Sequence, residues 1–487
     1  MKGRGDELND LDLCYLPALD ALDAFRSRRL SPVELLKAQI ARAEQVEGEI
    51  NAFTDRYFDE ALAAAKRAEA RYMRDDGRLR KLEGLTVAVK DEVNIAGKRT
   101  TNGSLTLKDN IARDTHPIVE RLIKAGAIIH ARTATPEFSS AYVTYSRLHG
   151  VTRNPWNREI TTAGSSGGTG ASLAAGTTTL ATGSDIGGSI RAPASMCGVV
   201  GFKPPYGRNP EMAPWNLDMF GHQGPLARHV GDCALLQNVM SGHHPRDIAT
   251  LRQKVTLPTV FPDGKAGSGV KGWRIAYATH LGDGVVAPDM KANLLATVAL
   301  LRELGATVEE VDLRWGHEIS LAAQNYLDHL FGHWLVEIAD KQGDQLCDYT
   351  HYYADRARRA GIEKFTDALR VMGKAYDSFG PMIERHHAFL CPTLATNAVR
   401  ADQKPWEKMT VDGHEIDTDY DWAMTHPFNM LSRLPVLAVP SGIGANGVPT
   451  GIQIVARSYD DRRVFQLGAA LEAARPWMDG PARRPRL

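Results

Sequence analysis

Cysteine is scarce in this 487-residue chain: there are five, at positions 14, 197, 233, 347 and 391. None forms a C-x-x-C pair, and an odd number cannot pair completely. A disulfide framework is thereby excluded, and the expectation is reduced, mostly buried thiols in a cytoplasmic protein. An excess of one charge is also lacking, since Lys+Arg and Asp+Glu both number 58. That argues against a surface built mainly for nucleic acid or for an acidic membrane. No run approaches the roughly 18–20 apolar residues that a spanning helix needs. The start of the chain carries Lys2 and Arg4, turns acidic at Asp6 and Glu7, and has no apolar stretch of the secretory kind. The remaining composition, 43% hydrophobic and 24% charged, is that of a globular protein.

What is present reads as helices alternating with short apolar strands. Ser31-Pro32-Val33-Glu34 is a helix start, with Ser31 as cap, Pro32 at the first position and Glu34 closing a capping box. A second helix is expected near 58–73, and together they form a helical layer over about 10–75. Leu85–Val89 is a buried strand with Lys90 and Asp91 at its end. A helix over 117–126, stopped by Gly126, leads into a strand at 127–131. Further on, strands are expected at 273–278 and 308–313, flanking a helix over 288–304 with Leu294, Leu295, Val298, Leu301 and Leu304 on one face. Residues 242–271 read as a surface loop, 315–390 as mostly helical and rich in aromatics and histidines. Strands at 436–439 and 451–456 and a helix over 461–474 close the pattern. The fold class is α/β: a sheet covered by helices.

Three features could carry chemistry. Lys90 sits at a strand end, where burial would let the amine act as a neutral base. Gly164-Ser165-Ser166-Gly167-Gly168 reads as a flexible turn or, through Gly164-x-Ser166-x-Gly168, as a nucleophile elbow. The elbow needs an apolar strand just before it, and Arg158–Ala163 is a poor one. Asp185-Ile186-Gly187-Gly188-Ser189-Ile190-Arg191 places two glycines before a serine, so successive N–H groups can point one way and hold an oxyanion. Asp185 and Arg191 fit as braces of that loop. The stretch 164–201 is rich in Gly, Ser, Thr and Ala, but Leu173, Leu180, Ile186, Ile190, Val199 and Val200 run through it, which favours close backbone packing around a site over a linker. His386-His387 and the pair His329 and His333 come without a carboxylate motif and make no metal set, so no metal and no cofactor are expected.

Together these motifs resemble the amidase signature family. The match runs through Gly164–Gly168, Asp185–Arg191, Pro193 and Cys197-Gly198-Val199-Val200-Gly201-Phe202-Lys203-Pro204, with Lys90-Asp91 and Asn154-Pro155-Trp156 upstream and Pro440-Ser441-Gly442 and Gly447–Gln453 downstream. The resemblance extends over about 10–477. It implies a single amidase domain over 1–487: the helical layer, a signature core at about 80–240, a variable cleft region at about 315–430, and a strand–helix return at 431–477. It implies the amidase signature fold, a large mixed sheet with helices on both faces. It also implies a triad of Lys90 as base, Ser165 as a cis-peptide serine that relays protons, and Ser189 as nucleophile. The amides of Ile186, Gly187, Gly188 and Ser189 would form the oxyanion hole, and Ser139 and Ser165 would meet substrate. The implied partners are a small amide or carbamate and water, with a homodimer left open. Esters and aryl amides fall within the same reach. The amidase (glutaminase) subunit of a tRNA-dependent amidotransferase is the alternative. Arg132, Thr169 and Ser432-Arg433 depart from the family pattern, the last expected to bear on the cleft.

Overall fold

The computed structural model describes residues 9–74, 77–260, 269–282, 284–478 and 480–487. The N-terminal reading at residues 2–7, and part of the 242–271 segment, fall outside them. Burial of short apolar runs on both faces dictates the centre of the molecule, an 11-stranded mixed sheet. From one edge its strands are Phe53–Arg56, Ile128–Thr133, Thr86–Lys90, Leu180–Asp185, His222–Ala227, Val200–Lys203, Val436–Ile443, Pro449–Val455, Ala388–Pro392, Arg274–Tyr277 and Thr307–Glu310. Alternate side chains enter different cores. Ala276, Phe389 and Cys391 join one cluster, while Ile275, Tyr277, Ala388 and Leu390 join the other. Helices cover both.

Local sequence signals explain the first layer. The helix Pro32–Ile50 has Ser31 accepting from the Val33 and Glu34 amides while Glu34 accepts from the Ser31 amide. It packs on the helix Phe58–Arg74, and a short strand between them, Phe53–Arg56, pairs antiparallel with Ile128–Thr133. That strand has no clear alternation, and nothing in its sequence announces it. The helix Pro117–Lys124 ends two residues before Gly126, which adopts φ +94°.

Two expectations need correction. In the helix Pro288–Glu303 the buried face is Met290, Leu294, Thr297, Val298 and Leu301, and Leu295 is 44% exposed. At about 100° per residue the five buried side chains share one stripe, and position 295 falls beyond its edge, so Leu295 turns out. The strand expected at 308–313 is Thr307–Glu310, the stretch in register with parallel Arg274–Tyr277, and the Val311 amide makes a last bond to the Tyr277 carbonyl. Residues 242–260 and 269–271 hold no helix or strand and lie largely at the surface, as expected of a surface loop, with a few buried anchors. Asp247, Thr250, Leu257 and Val270 are buried, and the Asn238 side chain clamps both backbone groups of Leu257. Among the described residues no helix is long and apolar enough to cross a membrane.

Strand direction sets up the site. Thr86–Lys90 runs parallel to Leu180–Asp185. Lys90 and the loop after Asp185 therefore emerge at the same sheet edge, the carboxyl ends of neighbouring parallel strands, where open α/β sheets place their ligands.

Candidate active site

Lys90 closes its strand with its side chain fully buried, among the largest buried side chains of the molecule. Its Nζ lies 2.6 Å from Ser165 Oγ and 2.8 Å from Ser184 Oγ, groups 75 and 94 residues away in sequence. Glu92 Oε2 stands 3.4 Å from the same nitrogen. Burial pulls the Lys90 amine below its ordinary basicity, and Glu92 and then Asp185 oppose that pull. The backbone under Lys90 is held by Arg132, whose Nη2 donates to the Lys90 carbonyl and to Asp91 Oδ1, both at 3.3 Å. The departure at Arg132 thus braces the lysine from beneath. Thr169 likewise packs inward, bonded to Thr133 Oγ1 and the Thr182 carbonyl.

Ser165 follows a cis Gly164–Ser165 peptide and precedes the helix Gly167–Ala174. The turn is made tight by backbone approach: a Cβ on Gly168 would lie 2.4 Å from the Ala134 amide nitrogen and 2.5 Å from the Ala52 carbonyl oxygen. Ser166 is the residue an elbow would use. No strand precedes it, only isolated bridges at Ile160 and Thr161, and its hydroxyl is buried against the Ser184 backbone. That position gives it no access to a ligand.

Ser189 lies one strand over, in the loop between Leu180–Asp185 and the helix Arg191–Cys197, and is 6% exposed. Asp185 anchors the loop from below. Its carboxylate accepts from the Ile190 and Arg191 amides and pairs with the Arg191 guanidinium at 2.8 Å, and Asn429 donates to it as well. Burial would raise this carboxyl, but Arg191 and Asn429 hold it far below the carboxylate range. From the other side the Tyr142 and Thr425 hydroxyls both donate to the Gly187 carbonyl. Among the described residues the N–H groups of Ile186, Gly187, Gly188 and Ser189 donate to nothing, while their neighbours Ile190 and Arg191 are paired. Gly188 has φ +140°, and a Cβ there would meet Thr425 Oγ1 at 1.9 Å. The loop therefore turns its Gly187 carbonyl into hydrogen bonds and leaves these four amides without an acceptor among the described residues.

A cavity opens on Ser189. Ser139, Tyr142, Ile186 and Gly187 form its floor side, and Leu327, Asp328, Phe331, Leu335, Tyr353 and Tyr420 its far wall. Most of that wall comes from the aromatic-rich helical stretch expected at 315–390: helices Glu318–Leu327, His333–Gln342 and Asp348–Arg358, the first two joined by a wider π turn at Asp328–Gly332. Asp328 on that wall is paired with Arg356 at 3.0 Å. Ser139 lines the cavity, and its hydroxyl is bonded to Glu92 and Thr135. Ser432 and Arg433 do not line it. Ser432 packs its carbonyl against Tyr206, His222 and Lys203, and Arg433 is exposed. The expectation that this departure shapes the cleft is corrected accordingly. The histidines also have local partners: His329 packs on His333 and Phe365, His386 bonds Glu309, and His387 stacks on Trp273. All five cysteines are free and buried.

Residues 34–465 match the family model described as Amidase. The chain belongs to the amidase signature family. An acylamidase of Rhodococcus erythropolis is 32% identical over 480 residues, covering 97% of this chain and 98% of that one. A glutamyl-tRNA(Gln) amidotransferase component of Thermosynechococcus vestitus is 31% identical over 483 residues, covering 92% and 95%. The crystal structure of a bacterial aryl acylamidase of the same family superposes with a TM-score of 0.86 at 27% identity, covering 95% of this chain and 97% of that chain. This amidase is thus an enzyme that hydrolyses amide C–N bonds. Sequence reasoning misses Glu92, Tyr142, Ser184 and Thr425. Three of them act through neighbours far away along the chain, and only Glu92, two residues past Lys90, stands where a local reading could find it.

Proposed function

We propose that this amidase cleaves small amides with apolar or aromatic groups, through an acyl-enzyme on Ser189, with Lys90 as base and Ser165 as relay. The observation that carries the reading is the buried Lys90–Ser165 contact of 2.6 Å beside a serine whose loop presents four unpaired amides. A serine hydroxyl is a weak nucleophile and needs an adjacent base. A neutral lysine has two N–H groups and one lone pair. Ser184 and Glu92 are placed to take the N–H groups, which leaves the lone pair for the Ser165 hydroxyl.

Ser189 Oγ forms a bond to the carbonyl carbon as its proton passes to Ser165 and the Ser165 proton passes to Lys90. The carbonyl π pair moves onto oxygen, where the amides of 186–189 hold it. The C–N bond then breaks, the leaving nitrogen takes a proton from Ser165, and Ser165 recovers one from Lys90. Water repeats the sequence on the ester and releases the acid.

Leu327, Phe331 and Leu335 in the wall favour an apolar acyl or aryl group over the charged end of glutamine, which is costly to bury against them. Carbamates and esters fit the same chemistry. The amidotransferase reading keeps a place because of the 31% identity to the Thermosynechococcus vestitus protein.

A fluorophosphonate probe should label Ser189, and Ser189→Ala should abolish both labelling and turnover of an anilide. Lys90→Ala should lower kcat by at least about a hundredfold. Labelling that survives Ser189→Ala would place the nucleophile elsewhere.

A further inference from the structure

We propose that Glu92 is a positioning residue for Lys90, gripping the ammonium that forms when the proton leaves Ser189. The inference rests on the reading above, in which Lys90 is the base.

Glu92 follows the strand end by two residues and folds back so that Oε2 reaches Lys90 Nζ at 3.4 Å. The same oxygen accepts from the Ser139 hydroxyl, which Thr135 and Asn102 fix in turn. The other oxygen, Oε1, is buried with no hydrogen-bond partner among the described residues, a costly arrangement for a carboxylate unless a positive charge stands near. A Lys90 ammonium is that charge. When Lys90 takes the Ser165 proton, that proton lies between Nζ and Ser165 Oγ, and the new positive charge stands 3.4 Å from the Glu92 carboxylate. The contact therefore tightens as the tetrahedral intermediate forms, and it stabilises that state more than the resting one.

Other charges around Lys90 are neutralised. Asp185 on the adjacent strand is bound by Arg191, and Asp91 is bound by Arg132, with His149 at 3.7 Å. The helix Gly167–Ala174 packed above carries no titratable group. Glu92 is left as the acid whose charge is committed to Lys90. An anion there also holds a proton on Lys90 to higher pH, so it sets where the base becomes available.

The test is the rate of Ser189 labelling by a fluorophosphonate against pH, in wild type and Glu92→Gln. Wild-type labelling that is lost in Ser189→Ala establishes the underlying reading separately. Gln keeps the size and the acceptor but removes the charge. The rising limb should move to lower pH by about one unit or more, because the protonated lysine loses its counter-ion. The plateau rate should fall. A limb that stays in place, whatever the plateau does, overturns the proposal. If thermal melting shows Glu92→Gln unfolded, Glu92→Asp is read by the same criterion, with a smaller shift in the same direction expected.

Discussion

At the scale of the residue, the site is a set of buried polar groups that would each be costly alone. Asp185 and Arg191 illustrate this. Both side chains are fully buried, and every carboxylate oxygen of Asp185 has a donor. Removing one partner leaves an uncompensated charge, so Asp185→Ala should cost about 3–5 kcal/mol in urea unfolding at pH 7. The pH dependence has a definite sign. The folded carboxyl is held far below its ordinary value, so its contribution is complete above about pH 4 and is lost as pH falls beneath that. The variant should therefore lose part of the wild-type stability decline at acid pH, measured as urea midpoints between neutral and acid buffers.

At the scale of the element, the loop 186–189 depends on what the flanking elements do to it. The strand fixes its start at Asp185, the helix Arg191–Cys197 fixes its end, and Thr425 with Tyr142 pins the Gly187 carbonyl between them. Gly188→Ala would drive a methyl into Thr425 and rotate the amides away. It should lower kcat by about a hundred- to a thousandfold, the cost of a lost oxyanion donor, with a smaller change in KM. By contrast, Ser31→Ala acts only on a helix end far from the chemistry. It should cost about 1 kcal/mol and leave kcat unchanged, checked by melting and by anilide turnover.

At the scale of the whole molecule, one sheet joins strands from Phe53 to Val455; Lys90 ends one of them, and Ser189 follows the neighbouring parallel strand. The cleft wall comes instead mainly from the helices between Glu318 and Arg358. That division predicts how specificity and chemistry separate. The chain purified alone should turn over apolar anilides without a partner protein, and its glutaminase activity should be slight. Phe331→Ala or Leu335→Ala should raise KM for bulky amides more than for small ones, with kcat less affected. A panel of amides read by product mass checks both, and glutaminase activity that requires co-purified partners would favour the amidotransferase reading.

Much of this was legible in the amino-acid order. Apolar periodicity and caps located most helices and strands, since those signals act within a few residues. The motifs around Lys90, Ser165 and Ser189 are local as well, and they marked the family. Leu295 and the short strand Phe53–Arg56 escaped, because neighbouring elements decide which side of a helix is covered and which extended segment finds a partner. Only the tertiary structure could decide that Ser166 is walled in while Ser189 faces a cavity, that Thr425 reaches across 238 residues to hold the Gly187 carbonyl, and that Glu92 folds back onto Lys90. Sequence determines which groups are available and what each could do. Burial and long-range hydrogen bonding determine which of them meet, and the protonation of the lysine follows from that meeting.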